Sequence, residues 1–439
     1  MEEILVKDTS SLGDFIKGLS DLNFPIIQNE EIEFIRKKAN KEICTANVKS
    51  LDDIFGKKHS KFLSGFRNLS LPDMPRVKTR VDIKGCDEEI AGRKVLGRIR
   101  ICDNEIIKWV DPKMLEKGVI FSDLRTAIKE HSKKVNQAFS NEGIKRNTLI
   151  SNLIIGQGKL GSFLYIPDDI QPEGIFLIEI ELSHAHSLIP MHLITMIGNS
   201  AYCNLVIDMK SKGNNNKDHF ILAIQNDLIL SANSHLSIFQ KQKIGEETAL
   251  FISEQIIENR DARVTSFILD QGSAVTDRFL AVELTGEGGS VNITGLYNAK
   301  NGQHFYYDTQ QNHNASYTKS DLIFKGVLGK DAYSSWKGNI LISEDTKGTD
   351  GYQSNDNLII DLSAKAESIP GLEIMTDDVR CSHGVTMGNI DKNQMFYLQS
   401  RGINNKDAEK LIVDGFLSSA VKRIEDRGFK EFILASFEN

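Results

Sequence analysis

The sequence predicts a mainly β protein with helices at both ends. Three observations carry this. From about Thr148, short apolar runs recur between glycines and asparagines. No proline occurs between Pro190 and Pro370. Outside that region, apolar residues return every three or four positions, the helical spacing.

The N-terminal third reads as mixed α and β, mostly helical. Ser11 is placed to cap a turn carrying Leu12, Phe15, Ile16 and Leu19. Ile32, Ile35, Ala39 and Ile43 keep helical spacing, and Pro25, Pro72 and Pro75 punctuate the region. Val95, Ile99, Ile101 and Ile106 predict two strands around a turn at Asp103 and Asn104. Ser122 is then expected to cap a helix with Leu124, Ala127, Ile128 and Val135 on one side.

The middle reads as strands. Residues 153–155, 163–166, 175–180, 205–207 and 220–224 are apolar runs, separated by turns such as Gly213-Asn214-Asn215-Asn216. Residues 279–284 alternate more clearly. A proline removes a donor from the ladder, so its long absence suits strands paired on both sides. A sandwich, a barrel and a solenoid all fit, and no fixed-length repeat chooses among them. After Ile390 the chain turns helical. Asp391 caps a helix that Gly402 stops. Asn404 caps a second, expected to run to about Arg427 with Gly428 as its stop. Ala408, Leu411, Ile412, Phe416, Ala420 and Ile424 form its apolar stripe.

A chain of 439 residues is long enough for one to three domains. Its net charge of −7 argues against general binding to nucleic acid or anionic membranes. No apolar run reaches the roughly 20 residues that cross a bilayer. The N-terminus, MEEILVKDTSS, is acidic and has no apolar core, unlike a secretory or transit signal. Cys44, Cys86, Cys102, Cys203 and Cys381 are odd in number, scattered and free of CxxC, which argues against a disulfide framework or a structural zinc site. A reducing cytoplasm is the expected location.

Few motifs carry chemistry. Cys381 and His383 lie two apart in an extended stretch, so they project from one face, and thiolate and imidazole are natural ligands for iron. Two ligands do not complete a cluster, so such a site needs residues from elsewhere. The plain alternative is a packed cysteine and a histidine bonded to backbone. Residues 156–161 form GQGKLG, a formal GxGxxG, but a strand rather than a helix is expected after it, so a glycine-rich turn between strands is the better account. His184 and His186, with His192 nearby, suggest a cupin-like metal site, yet ordinary strand histidines fit better. No Walker A motif occurs, so ATP used in any process involving this chain is hydrolysed by a partner.

The stretch from residue 367 to 402 contains CSHG and a following T-x-G, and MFYLQSRGI runs one residue past its end. With Asp308-Thr309, His313, Ser316, residues 325–328, Gly338, 349–351, Asn357-Leu358, 370–374 and Asp378-Val379, it closely resembles the SufB/SufD family of iron–sulfur cluster assembly scaffolds. Within it the chain resembles the SufD branch, because the His-Glu pair usual in SufB at the CSHG position is missing.

The resemblance implies a right-handed parallel β-helix core flanked by an N-terminal α/β, mostly helical segment and C-terminal helices. The expected division is 1–147, 148–390 and 391–439. Helices are expected to cover the end coils. The resemblance also implies a non-enzymatic scaffold that pairs with a SufB-like subunit, or with itself, and binds SufC, an ABC-type ATPase. An iron–sulfur cluster is then held transiently at the shared interface, with no permanently bound cofactor. His383 is the implied ligand, with Cys381 beside it and His313 and Glu373 secondary. Phe396, Tyr397, Arg401, Leu411 and Phe416 are the expected SufC-docking residues. A β-helical or cupin-like enzyme acting on carbohydrate is the contrasting class.

Overall fold

The computed structural model describes residues 30–46, 51–63, 76–79, 89–90, 92–103, 105–144, 148–182, 188–211, 219–424, 429–431 and 433–434. Helices α1 (Glu30–Thr45), α2 (Leu51–Phe55) and α3 (Ser60–Leu63) come first. Strands β1 (Arg76–Thr79), β2 (Glu89–Ile90), β3 (Arg93–Cys102) and β4 (Glu105–Val110) follow. Then come α4 (Pro112–Glu116), β5 (Ile120–Asp123), α5 (Leu124–Glu130), α6 (Ser132–Phe139) and α7 (Leu149–Gln157). The strand region opens with β6 (Leu160–Ile166), β7 (Ile175–Leu182), β8 (Leu188–Ile197), β9 (Tyr202–Ser211) and β10 (Phe220–Leu230). It continues through β11 (His235–Lys243), β12 (Thr248–Glu258), β13 (Arg263–Asp270), β14 (Val275–Leu284), β15 (Ser290–Ala299) and β16 (His304–His313). It closes with β17 (Lys319–Leu328), β18 (Tyr333–Ile342), β19 (Thr349–Ile359), β20 (Lys365–Ile374) and β21 (Val379–Asn389). Helices α8 (Lys392–Ser400) and α9 (Asn405–Val421) end the set.

From β6 onward the strands alternate between two sheets and pair in parallel. Of these, the even-numbered strands join β5 in the nine-stranded sheet, and the odd-numbered strands join β1–β4 in the twelve-stranded one. The result is a parallel β-helix, the member of the open set that the family resemblance implied. The steps between stacked residues explain the missing repeat. Ala249 lies on Val275, Val275 on His304, His304 on Tyr333 and Tyr333 on Lys365, steps of 26, 29, 29 and 32 residues. Register is kept within the strands while corner length varies.

The bounding prolines obey the ladder rule. Pro190 pairs with Ala223 of β10, and the pairing of β8 with β6 starts only at Met191. Pro370 lies on β20, the edge of its sheet. Each has a strand on one side only, where a missing N–H costs no ladder bond.

One core fills the space between the sheets, from Ile99 and Phe176 to Phe324 and Trp336. The outer face of the nine-stranded sheet is covered by N-terminal helices, with Phe55, Leu63 and Ile154 against Ile221, Phe251 and Val275. The outer face of the twelve-stranded sheet takes Leu417, Ala420 and Val421 of α9 over Phe239, Phe267 and Leu296.

Several expectations are corrected. Residues 153–155 are helical: Thr148 caps α7, its hydroxyl accepting from Ser151 N at 3.1 Å. The helix is buried on nearly all sides, and a continuous apolar run looks alike in a buried helix and a buried strand. The glycine-rich turn therefore joins a helix to a strand. Asp123, not Ser122, caps α5, accepting from Thr126 N at 2.9 Å, and Val135 belongs to α6. Helix α9 ends at Val421, short of Arg427. Helices cover sheet faces rather than the C-terminal coil; α9 packs on β15 and β17. The expected turn at Ser11, Pro25, Pro72, Pro75 and the Gly213 turn lie outside the described residues.

Candidate functional site

The β-helix ends on β20 and β21, and each is the last strand of its sheet. On β19 the inward positions Gly351, Gln353, Asn355 and Asn357 are buried. Their partners one coil on are Cys381, His383, Val385 and Met387 of β21. Alternation therefore continues the interior row into the last strand. There it is open: Cys381 is half-buried, His383 is exposed, and Val385 and Met387 are each 41% exposed. Beside them Ile374 is also 41% exposed. An interior row is left without its next layer, and the ladder bonds of two strands are left open.

Cys381 lies over Gly351, whose missing side chain would stand 3.5 Å from the sulfur. Burial, and after it the charge of Asp350, pushes the thiol pKa up. The thiol therefore stays protonated at neutral pH. Below the end, Asn357 Oδ1 accepts from Tyr297 at 2.5 Å, and Asn355 Oδ1 accepts from Asn357 at 2.7 Å and from Ser368 at 2.5 Å. This polar layer was not read from the sequence. Its signal was Gln353-x-Asn355-x-Asn357, a row of amides at strand spacing.

The other candidates are not brought to this row. Glu373 occupies the opposite face of β20 and accepts from Asn339 at 2.9 Å. His313 lies two coils inward, wholly buried, with Thr318 and Ser320 hydroxyls each 2.8 Å from a ring nitrogen. Burial pushes its pKa down to about 4. Among the described residues no three His, Cys, Asp or Glu side chains converge on a metal-sized site. His192 is buried and sits 2.8 Å from Asp227; His184 and His186 lie outside the described residues. Gly161 allows close approach to the His192 carbonyl, so the glycine-rich stretch serves packing.

Helices α8 and α9 follow the edge. Asp391 caps α8, accepting from Asn393 N at 2.8 Å, and Asn404 caps α9, accepting from Asp407 N at 2.9 Å. Helix α8 buries none of its residues. Phe396 is 72% exposed, Tyr397 58% and Leu411 52%. Arg401 lies over the Tyr397 ring at 5.2 Å. Phe416 differs: it is half-buried against the sheet, with Lys325 over its ring at 4.9 Å.

Residues 180–416 match the family model described as SUF system FeS cluster assembly, SufBD core domain. That is more than half of the chain. It belongs to the SufB/SufD family. The match covers the β-helix from β7 through both terminal strands and most of α9. The chain is 32% identical to the iron–sulfur cluster assembly protein SufD of Escherichia coli over 209 residues, 47% of this chain and 49% of that one. It is 30% identical to a SufBD family protein of Mycobacterium leprae over 221 residues, 48% of this chain and 56% of the other. With SufD of Bacillus subtilis it shares 24% over 379 residues, 84% of this chain and 83% of that one. The chain thus spans about half the length of the first two curated relatives. Within the family it is SufD-like. No described helix is long and apolar enough to cross a membrane.

Proposed function

We propose that this chain is a scaffold subunit of a SUF iron–sulfur cluster assembly complex and not itself an enzyme. The β20–β21 edge is its pairing surface for a SufB-like subunit. The observation that carries this is the uncovered end of the β-helix, with exposed His383 and half-buried Cys381 on its last strand. A pairing partner continues the open ladder of β21, buries Val385 and Met387, and supplies the ligands that this chain lacks. The nascent cluster is cargo held at that seam. His383 supplies an imidazole nitrogen, and Cys381 supplies a thiolate as iron displaces its proton.

The exposed aromatic and apolar residues of α8 and α9 are assigned to SufC, whose ATP hydrolysis drives the cycle. Phe396, Tyr397 and Leu411 are the contact set, and Phe416 supports α9 from beneath. The expected cytoplasmic location and the division at residues 147 and 390 belong to the same proposal.

Co-expression with SufB- and SufC-type partners, followed by pull-down and assay of iron and sulfide, tests the reading. Retained partners and cluster are expected, with His383→Ala keeping the complex but losing cluster. Recovery of a self-paired chain carrying iron and sulfide identifies the homodimeric form. No partner, no self-pairing and background iron would sink the proposal.

A further inference from the structure

A trough crosses the outer face of the twelve-stranded sheet, on strands well before the β20–β21 edge. Its deeper part is a cavity of about 470 Å³ bounded by Ile424, Phe429 and Ile433 after α9 and by Phe239 and Phe267 of the sheet. A second depression of about 430 Å³ continues it past Arg263 and Lys319, and the two share His235, Thr265 and Asn292. Strand register orders the lining. One ladder runs His235, Arg263, Ser290, Lys319, and the next polar ladder runs Ser237, Thr265, Asn292, Asp321. Neighbouring rungs are about 4.8 Å apart. A cation-bearing row thus lies beside a row of mostly neutral hydrogen-bonding groups, with an apolar chamber at one end.

In this lining His235 Nε2 is buried without a partner, as are one further atom each of Asp321 (Oδ1) and Arg423 (Nη1), whose other atoms pair with each other. Buried polar atoms ordinarily find one, so these mark a place where something binds. Arg263, Lys319 and Arg423 outnumber Asp321 and Asp350 by one charge. Burial, then Arg263, lowers the His235 pKa, so its ring is neutral and adds no cation. The deeper volume falls within the range of small-molecule sites, about 300–1,000 Å³.

We propose that the trough binds a small amphipathic monoanion, with its apolar body against Phe239, Phe267 and Phe429 and its acid group facing Arg263 and Lys319. The site is independent of cluster assembly at the terminal edge.

Calorimetric titration of the full chain with 2-naphthoate and its neutral amide tests this. The acid is expected to bind saturably, at least about tenfold more tightly than the amide. R263A with K319A should weaken the acid about tenfold and leave the amide unchanged. Asn292→Trp, which fills the floor shared by both depressions, should abolish binding of both. If Asn292→Trp does not fold, the charge variant still decides, because Arg263 and Lys319 lie exposed at strand starts. Equal affinity for acid and amide, no binding at millimolar concentration, or an acid affinity indifferent to the loss of Arg263 and Lys319 would each overturn the proposal.

Discussion

His59 Nε2 meets Asp277 Oδ2 at 2.6 Å although the two residues stand 218 positions apart. Lys58 reaches the same oxygen at 2.8 Å. The pair pins the segment between α2 and α3 to the outer face of β14. Burial alone would raise the Asp277 pKa, but the His59 bond and the Lys58 charge outweigh it and hold it low. A lowered carboxylate contributes stability above its ordinary range, and that contribution fades as pH falls through the folded value. Asp277→Asn should therefore cost about 1–3 kcal/mol at neutral pH. The difference from wild type should shrink in acid. Denaturant unfolding at two pH values checks it; equal midpoints at neutral pH would remove the latch.

His313 should make the β-helix acid-sensitive in a different window. Its pKa is pushed down to about 4 from 6.5 by burial. Above about pH 6.5 the ring is neutral in both states. As pH falls toward 4 the unfolded chain takes a proton that the folded chain refuses, so stability drops by about 3 kcal/mol. His313→Gln should flatten the stability profile between these values. A profile unchanged by the substitution would place the acid sensitivity elsewhere.

A side chain at Gly326 should be poorly tolerated. Its Cβ would come within 2.1 Å of the Tyr297 ring, which is fixed by Asn357 and Ser334. Gly326→Ala should destabilise by about 1–3 kcal/mol. Loss of the Tyr297 environment, read by near-ultraviolet circular dichroism, should accompany it. A variant with wild-type midpoint and spectrum would show that the coil can shift.

Val385→Asp with Met387→Asp should block subunit pairing without unfolding the chain, because both residues are already exposed. Size-exclusion chromatography with the SufB-like partner should shift from complex to separate chains, while thermal midpoints stay within a degree or two of wild type. Intact complex would move the pairing surface away from β21.

Phe396→Ala with Leu411→Ala should weaken SufC retention at least about tenfold, as truncation of exposed anchors does. The parallel Phe416→Ala change should instead lower stability, since that ring packs on the sheet beneath Lys325. Equal loss of SufC from both variants would mean that α9 acts only through its own fold.

The legible parts were those with local causes. The helix starts at Asp391 and Asn404, the α1 stripe and the β3–β4 pair were read from caps, spacing and a turn. Cys381 and His383 were placed on one strand face by alternation alone. The choice of β-helix was not legible in periodicity, because steps of 26 to 32 residues hide the stacking. It came from resemblance. Helix α7 was missed because it has no polar face to betray its period. The His59–Asp277 contact joins segments 218 positions apart, and no local signal announces it.

The two terminal strands are not equivalent. Pro370 deprives β20 of an amide hydrogen midway along, whereas β21 runs from Val379 to Asn389 without a proline. One rim of the final coil is therefore blunted and the other is intact. Such lopsidedness makes end-to-end stacking of copies into an unlimited fibre a poor fit, while one correctly shaped mate can still engage the intact rim. The same imino acid that bounds the proline-free run thus removes a donor from one rim and leaves the other rim whole.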